Sequence, residues 1–209
     1  MDETSVLAMR MTREEAEEVN PAFTHDFYMF RKKVFQIFGG AFHAYDRSGR
    51  LVLYSKQKAF KLKEDFRVYA DENQTQELLT IKTPQVLDIC STYNVEDATT
   101  GERVGAIRRK GLKSIIKDEW TFLSSDGGEI GTLSESCLLG AILCRFIKLI
   151  PQTYIITSAD GTKVAEINQH FNPFILKYDM SIYEPNSPID RRLLIAAGIL
   201  LAGIEGRQE

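Results

Sequence analysis

Hydrophobic residues run without a break through the last part of the chain. From Leu193 to Ile204 every position is apolar or glycine, so a helix here has no polar face to present to water and must be enclosed on all sides. At ~1.5 Å per residue such a helix is roughly 18 Å long, and the run is shorter than the ~20 apolar residues that cross a bilayer. The pattern predicts a buried helix over residues 190–205.

Upstream of that segment, a two-strand unit repeats along the chain. Each unit opens on an aromatic residue in an alternating strand, turns at a stretch rich in Asp or Gly, and continues in a second strand. Asp and Gly at these turns favour β-hairpins, and a regular spacing indicates a repeated supersecondary structure. The opening residues, which lie 24, 27, 27, 34 and 24 positions apart, are Phe42, Phe66, Tyr93, Trp120, Tyr154 and Tyr178.

Six hairpins predict about twelve strands. An antiparallel sheet of that size must curl or split, and closure removes the unpaired edges. A closed barrel this wide cannot be filled by its own side chains, so the C-terminal helix is the natural occupant of its interior. We predict a mainly β fold, an antiparallel closed barrel of about twelve strands around helix 190–205. It forms one domain over residues 27–209, after a flexible N-terminal leader over residues 1–26.

The longest interval between units contains an apolar insertion at residues 137–150. On a helical wheel its large apolar residues fill one half, whereas Arg145 and Lys148 fall on the other. Two interpretations stay open: a lid packed against one end of the barrel, or a helix lying in a membrane interface. In either case the predicted contact residues are Leu139, Ile142, Phe146 and Ile147.

Composition is that of an ordinary globular protein, with 44% hydrophobic and 26% charged residues and a net charge of −3. The charge is unevenly distributed. Lys and Arg outnumber Asp and Glu by 17 to 10 between Phe30 and Lys117, and are outnumbered by 9 to 19 elsewhere.

The three cysteines form no even-numbered disulfide framework and the N-terminus lacks the features of a secretory signal, so we expect a cytoplasmic protein.

The sequence offers little for catalysis. It contains no nucleophile elbow, phosphate-binding loop or zinc-protease motif, and its three histidines are isolated from one another. Asp179, Glu184 and Asp190 do not match the spacing of a standard calcium loop. We therefore expect no enzyme activity, metal site or cofactor.

The candidate binding surface is basic. Lys and Arg recur 14–17 residues after the opening aromatics of the first three units, which places them at neighbouring strand ends and in the loops that follow. Such a rim attracts anionic lipid headgroups, with each basic residue contributing ~1 kcal/mol; the alternative is a solvated rim whose lysines discourage edge pairing. Nucleic acid is disfavoured, because neither a recognition helix nor interleaved aromatic residues accompany the charge. The predicted headgroup-binding residues are Lys56, Lys58, Lys82, Arg108, Arg109, Lys110 and Lys113.

Two stretches of the sequence resemble a known family. Phe27–Lys63 is similar to the opening of tubby-like C-terminal domains, and Asp190-Arg191-Arg192 with its apolar helix is similar to the end of their LURP-one-related and phospholipid scramblase branch. The resemblance implies a twelve-stranded barrel around a central hydrophobic helix. It also implies binding of phosphoinositides at a basic surface, as in tubby domains, or calcium-dependent lipid movement, as proposed for scramblases.

The segment that corresponds to the scramblases' acidic calcium-binding stretch, residues 179–190, is sparse in carboxylates here. We therefore predict a non-enzymatic module that binds anionic phospholipid or phosphoinositide headgroups at the cytosolic membrane surface, as a peripheral protein. The alternatives are a scramblase-type lipid-translocating protein and a structural or interaction protein without a lipid ligand.

Overall fold

The structure, a computed structural model, describes residues 20–33, 41–57, 65–83, 91–109, 119–136, 151–170, 172 and 175–205. A 3-10 helix at Pro21–Phe23 precedes the strands. The other elements of this part of the chain are β1 (Phe27–Lys33), β2 (Ala41–Tyr45), β3 (Leu51–Gln57), β4 (Asp65–Tyr69), β5 (Glu77–Lys82), β6 (Thr92–Asp97), β7 (Arg103–Arg109), β8 (Glu119–Leu123), β9 (Glu129–Ser136), β10 (Thr153–Ser158), β11 (Lys163–His170), β12 (Ile175–Ile182) and helix α1 (Arg191–Glu205).

The strands form a closed antiparallel barrel in which each strand pairs with its neighbours in the chain. β1 closes the barrel by pairing with β12 over its whole length, from Phe27 opposite Ser181 to Lys33 opposite Ile175. Helix α1 fills the interior, and its apolar side chains from Leu193 to Ala202 are each at most 2% exposed. The predicted twelve-stranded barrel around a C-terminal helix is therefore confirmed.

The count of six hairpins was wrong by one. Five units are hairpins, but Tyr178 lies in β12, which leads into α1 instead of a second strand. The chain becomes helical there because the Asp190 carboxylate caps the helix, accepting a hydrogen bond from Arg192 N at 2.8 Å. The strand that completes the barrel is β1, which pairs with both β12 and β2.

The aromatic residues that open the six units all face the interior, and none is more than 3% exposed. In each hairpin the aromatic residue is the second of its strand, and because side chains alternate across a strand the rings lie at equivalent levels around the helix. Two glycines of α1 make room for such rings. A Cβ at Gly198 would lie 2.5 Å from Phe30 Cε2, and one at Gly203 would lie 2.7 Å from Phe66 Cε1.

The second strand of every hairpin carries one extra apolar residue near its start. In the first hairpin Ala44 pairs with Leu53 and Tyr45 with Leu51, which leaves Val52 without an opposite residue. The same register shift occurs in the other four hairpins. Such β-bulges increase local twist and bend the strand, which suits a sheet that closes on itself. The five extra residues are Val52, Leu78, Val104, Ile130 and Val164.

The barrel has two chemically different ends. The five hairpin turns and the N-terminus of α1 lie at one end, which we call the turn end. The last residues of β1, β3, β5, β7, β9 and β11 and the first residues of the even-numbered strands lie at the other end, which we call the loop end.

An aspartate holds each turn at the turn end. The carboxylates of Asp46, Asp97 and Asp160 accept hydrogen bonds from backbone N–H groups two residues further on, at 2.9–3.0 Å. Asp126 accepts from Gly128 N at 3.3 Å, and Asp71 accepts from the Thr75 hydroxyl. Hydrogen bonds stabilise the charged form of a carboxylate, and the Ser48 hydroxyl is the main cause that lowers the pKa of Asp46 to about 2.

Helix α1 is fastened to the turn end by its two arginines. Arg192, whose side chain is 18% exposed, contacts the carboxylates of Asp190, Asp97 and Glu102 at 2.7–2.9 Å. Burial opposes the charge of Arg192, but these carboxylates outweigh it and raise the pKa of the guanidinium. Arg191 Nη1 donates to the His25 carbonyl at 2.8 Å.

Residues 20–26, predicted as the last part of the flexible leader, pack against the turn end. Phe23 is 1% exposed, and the Tyr28 hydroxyl donates to the Ala22 carbonyl at 2.9 Å. Residues 1–19 lie outside the described part of the chain, so the division into leader and barrel stays a prediction for them.

Candidate functional site

Four of the seven predicted headgroup-binding residues lie in the described part of the chain, and all four lie at the loop end. Lys56 is near the end of β3, Lys82 ends β5, and Arg108 and Arg109 end β7. These strands alternate with β4 and β6 around the barrel, so the four residues occupy one arc of the rim. The hairpin repeat predicts this arrangement because it places equivalent positions at the same end. Lys58, Lys110 and Lys113 lie outside the described residues.

Lys56 and Lys82 point outward from the rim. Their neighbours Ser55 and Ile81 face the interior, at 2% and 0% exposed, so the alternation of a strand turns the two lysines toward solvent. Lys56 is exposed and Lys82 half-buried. Neither lysine forms a salt bridge with another described residue, which leaves their charges available to an anion.

Arg67, which lies opposite Lys56 on β4, is engaged within the barrel wall instead. Its guanidinium contacts Asp65 at 2.7 Å and Glu77 at 2.6 Å. Burial disfavours the charge of Arg67, but the hydrogen bonds that it donates to these two carboxylates raise its pKa. These contacts join β4 to β5 and occupy the guanidinium of Arg67.

Arg108 and Arg109 were predicted as equivalent members of the rim, but the structure places them on opposite faces of β7. Arg108 points outward and donates to Glu129 Oε1 at 2.5 Å. Arg109 points inward, with its guanidinium carbon 5.6 Å from the centroid of the Trp120 ring, a cation–π contact. The predicted set is thus brought to one end of the barrel but divided between its two faces.

Lys32 is a basic residue of the loop end that is not among the predicted headgroup-binding residues. It lies near the end of β1, is 7% exposed, and places its ammonium 4.9 Å from the centroid of the Phe42 ring. The sequence signal for this position is its spacing, because Lys32 falls on the same face of β1 as the inward-facing Tyr28 and Phe30. Lys32 and Arg109 are both inward cations that contact an aromatic residue of the rim.

The carboxylates considered for calcium are not brought together. Asp179 contacts His170 at 2.6 Å and Lys177 at 3.8 Å on the outside of the barrel, whereas Asp190 caps α1 and contacts Arg192. Within the described ranges, no three His, Cys, Asp or Glu side chains are grouped so as to hold a metal ion.

The insertion at residues 137–150 lies outside the described residues, and with it Leu139, Ile142, Phe146 and Ile147. Their predicted role as lid or membrane contact stays a prediction. None of the helices that the structure describes combines the length and the apolar character needed to cross a membrane.

A closed antiparallel barrel of twelve strands, filled by a C-terminal helix, is the architecture expected of the tubby-like C-terminal superfamily. The family model described as LURP-one-related matches residues 26–202, which is most of the chain. The protein belongs to the LURP-one-related family, which is part of the tubby-like superfamily. Proteins of this family are generally non-enzymatic. No curated protein matches the chain significantly.

Proposed function

We propose that the loop end of the barrel binds anionic phospholipid headgroups, phosphoinositides included, at the cytosolic surface of a membrane. One observation carries the proposal: β3, β5 and β7 each carry a basic residue at their last or next-to-last position, all at the same end of the barrel. The protein acts in this proposal as a non-enzymatic binding module that attaches peripherally.

The distribution of partners around the rim supports this function. Lys56 and Lys82 lack a carboxylate partner among the described residues, and they share the outward face with the half-buried Arg108, in the order Lys56, Lys82, Arg108 around the rim. Headgroup phosphates accept hydrogen bonds from Lys and Arg, and the negative surface potential of a cytosolic leaflet attracts clustered basic residues. Because the rim is only one arc, the barrel approaches the surface in a defined orientation.

Co-sedimentation with vesicles tests the proposal. The full chain is incubated with phosphatidylcholine vesicles that contain either phosphatidylinositol bisphosphate or phosphatidylserine, and with pure phosphatidylcholine vesicles. The rim variant is Lys56→Gln with Lys82→Gln. The matched control, Arg103→Gln with Lys163→Gln, removes the same charge from exposed positions at the turn end.

We expect binding to the anionic vesicles only, and a rim variant that binds roughly thirtyfold more weakly, as expected from ~1 kcal/mol per lysine. The control variant retains nearly all binding. Equal recovery with neutral vesicles, or equal loss in the two variants, contradicts the proposal. In that case the remaining alternative is an interaction protein without a lipid ligand.

A further inference from the structure

The outer surface of β1–β4 carries a continuous row of aromatic side chains, which we call the aromatic wall. Its rings contact one another across the strands: Tyr45 stacks on His43 at 6.2 Å, His43 meets Tyr54 edge-on at 5.2 Å, and Tyr54 lies 6.5 Å from Tyr69. The row begins at Arg31, whose guanidinium carbon is 5.9 Å from the Tyr45 centroid. All five residues are half-buried, although they face away from the core.

The edge of this wall at β1 and β2 has an excess of positive charge. Arg47 is exposed and lies 4.8 Å from the centroid of the Phe27 ring, and neither Arg31 nor Arg47 forms a salt bridge with another described residue. Arg31 lies directly opposite Lys177 of β12, an arrangement of like charges that is unfavourable unless an anion relieves it. The Lys177 ammonium lies 3.8 Å from the Asp179 carboxylate. The Glu72 carboxylate, which belongs to the turn after β4, contacts the His43 ring at 2.6 Å.

A segment of complementary chemistry precedes the described part of the chain. Residues 1–19 contain six acidic and two basic residues, a net charge of −4. Four of the acidic residues lie close together at positions 14, 15, 17 and 18, and the apolar residues Val6, Leu7, Met9 and Met11 precede them. The segment therefore offers an acidic block next to the barrel and an apolar block beyond it.

The point of attachment brings the two arginines within reach of the acidic block. Phe23 is buried at the turn end, and Phe27, four residues later, contacts Arg47. An extended chain covers at most ~3.5 Å per residue, so Glu14–Glu18 lie within roughly 20 Å of Asn20. The wall from β1 to β4 is about 14 Å wide at ~4.8 Å per strand, so residues 6–11 reach Tyr54 and Tyr69. The order of the blocks along the chain matches the order of charge and rings across the wall.

We propose that the aromatic wall is the docking surface for the chain's own residues 1–19. Glu14, Glu15, Glu17 and Glu18 contact Arg31 and Arg47, and the apolar residues before them cover Tyr54 and Tyr69. Covalent attachment supplies the high effective concentration that a set of weak surface contacts requires. The wall adjoins the basic rim at Lys56, the next outward-facing residue of β3 after Tyr54, but shares no residue with it, and the inference does not depend on lipid binding.

Limited proteolysis of the full chain tests the docking. A Glu-specific protease cleaves after residues 14–18 at low ionic strength, and mass spectrometry follows the rate of each cleavage. The wall variant is Arg31→Gln with Arg47→Gln. Two matched controls are Arg103→Gln with Lys163→Gln at the turn end and Lys56→Gln with Lys82→Gln at the rim.

We expect the wall variant to be cleaved about two- to thirtyfold faster than the wild type, the range for the loss of two exposed ion pairs, and the controls to be cleaved at the wild-type rate. Added salt speeds cleavage of the wild type only. Unchanged cleavage in the wall variant overturns the proposal, as does a faster rate in the rim variant alone.

Ring signals of isotope-labelled tyrosines give an independent measurement. Replacing the four glutamates with Gln shifts the signals of Tyr45, Tyr54 and Tyr69 and leaves those of the interior Tyr93 and Tyr154 in place. If these wall signals move on addition of anionic vesicles or with protein concentration but not with the glutamate substitutions, the wall binds a membrane or a second copy and the proposal fails.

Discussion

The two ends of the barrel use charged residues in opposite ways. At the turn end, aspartate carboxylates accept hydrogen bonds from residues of their own turns. Arg192, at the start of helix α1, forms ion pairs with three carboxylates. At the loop end, Lys56 and Lys82 extend outward with no carboxylate partner in the described part of the chain. The difference indicates that charges at the turn end hold the fold together, whereas Lys56 and Lys82 at the loop end are not used in this way.

The helix that links the two ends is the most sensitive place in the molecule. Leu200 is 0% exposed inside the barrel, so Leu200→Asp buries a charge without a partner and costs about 4 kcal/mol or more. We expect the variant to fail to fold, which circular dichroism of the purified chain would show. Tyr183→Asp adds the same charge at a position that is 53% exposed and should remain folded.

Removing the arginine that fastens the helix should have the next largest effect. Arg192→Met leaves the carboxylates of Asp97 and Asp190 without their cation, and we expect the free energy of unfolding in urea to fall by about 2–3 kcal/mol, less than the ~3–5 kcal/mol of a fully buried pair. Arg103→Met, at an exposed position of the same end, should change it by less than ~0.5 kcal/mol. Equal effects of the two substitutions would mean that the helix is not fastened by this network.

The aspartates of the turn end should also make the stability of the fold depend on pH. The folded pKa of Asp46 is about 2, against an ordinary value of 3.8, so its contribution is fully present above pH ~4 and is lost as the pH falls through 2. The pKa values of Asp71, Asp126 and Asp160 are lowered in the same direction by hydrogen bonds from Thr75, Ser124 and Ser158.

Thermal unfolding of Asp46→Asn between pH 7 and pH 2 measures this contribution. The variant should be less stable than the wild type at pH 7, and the two proteins should converge near pH 2. A difference that stays constant over this range would show that the carboxylate charge does not stabilise the turn.

The smallest effect on stability is expected at the loop end. Lys56→Gln with Lys82→Gln should change the unfolding free energy by less than ~0.5 kcal/mol, since both side chains reach toward solvent and neither forms an ion pair with a described residue. A larger loss in urea unfolding would assign these lysines a structural role and weaken the contrast between the two ends.

Most of the fold could be predicted from sequence because its signals are local. The opening aromatics and the Asp-containing turns recur within each unit, and the apolar run from Leu193 to Ile204 requires an enclosure of its own. The role of β1 as the closing strand could not be predicted in this way, since its partner β12 lies about 150 residues away and only the closure of the barrel brings them together.

Less of the candidate site could be predicted, because it depends on faces and on partners across strands. The repeat placed Lys56, Lys82, Arg108 and Arg109 at one end, but a one-residue step in β7 turns Arg108 to Glu129 and Arg109 to Trp120. The aromatic wall could not be predicted for the same reason. His43, Tyr54 and Tyr69 meet only through the register of three strands, which no local pattern reveals.

Hydrogen–deuterium exchange in the presence and absence of anionic vesicles tests most directly whether the loop end faces the membrane. We expect vesicles to slow exchange at the strand ends around Lys56, Lys82 and Arg109, and to leave the turns around Gly49, Gly101 and Gly161 unchanged. Protection of the turns instead, or no protection at either end under conditions where the protein sediments with the vesicles, would contradict the account.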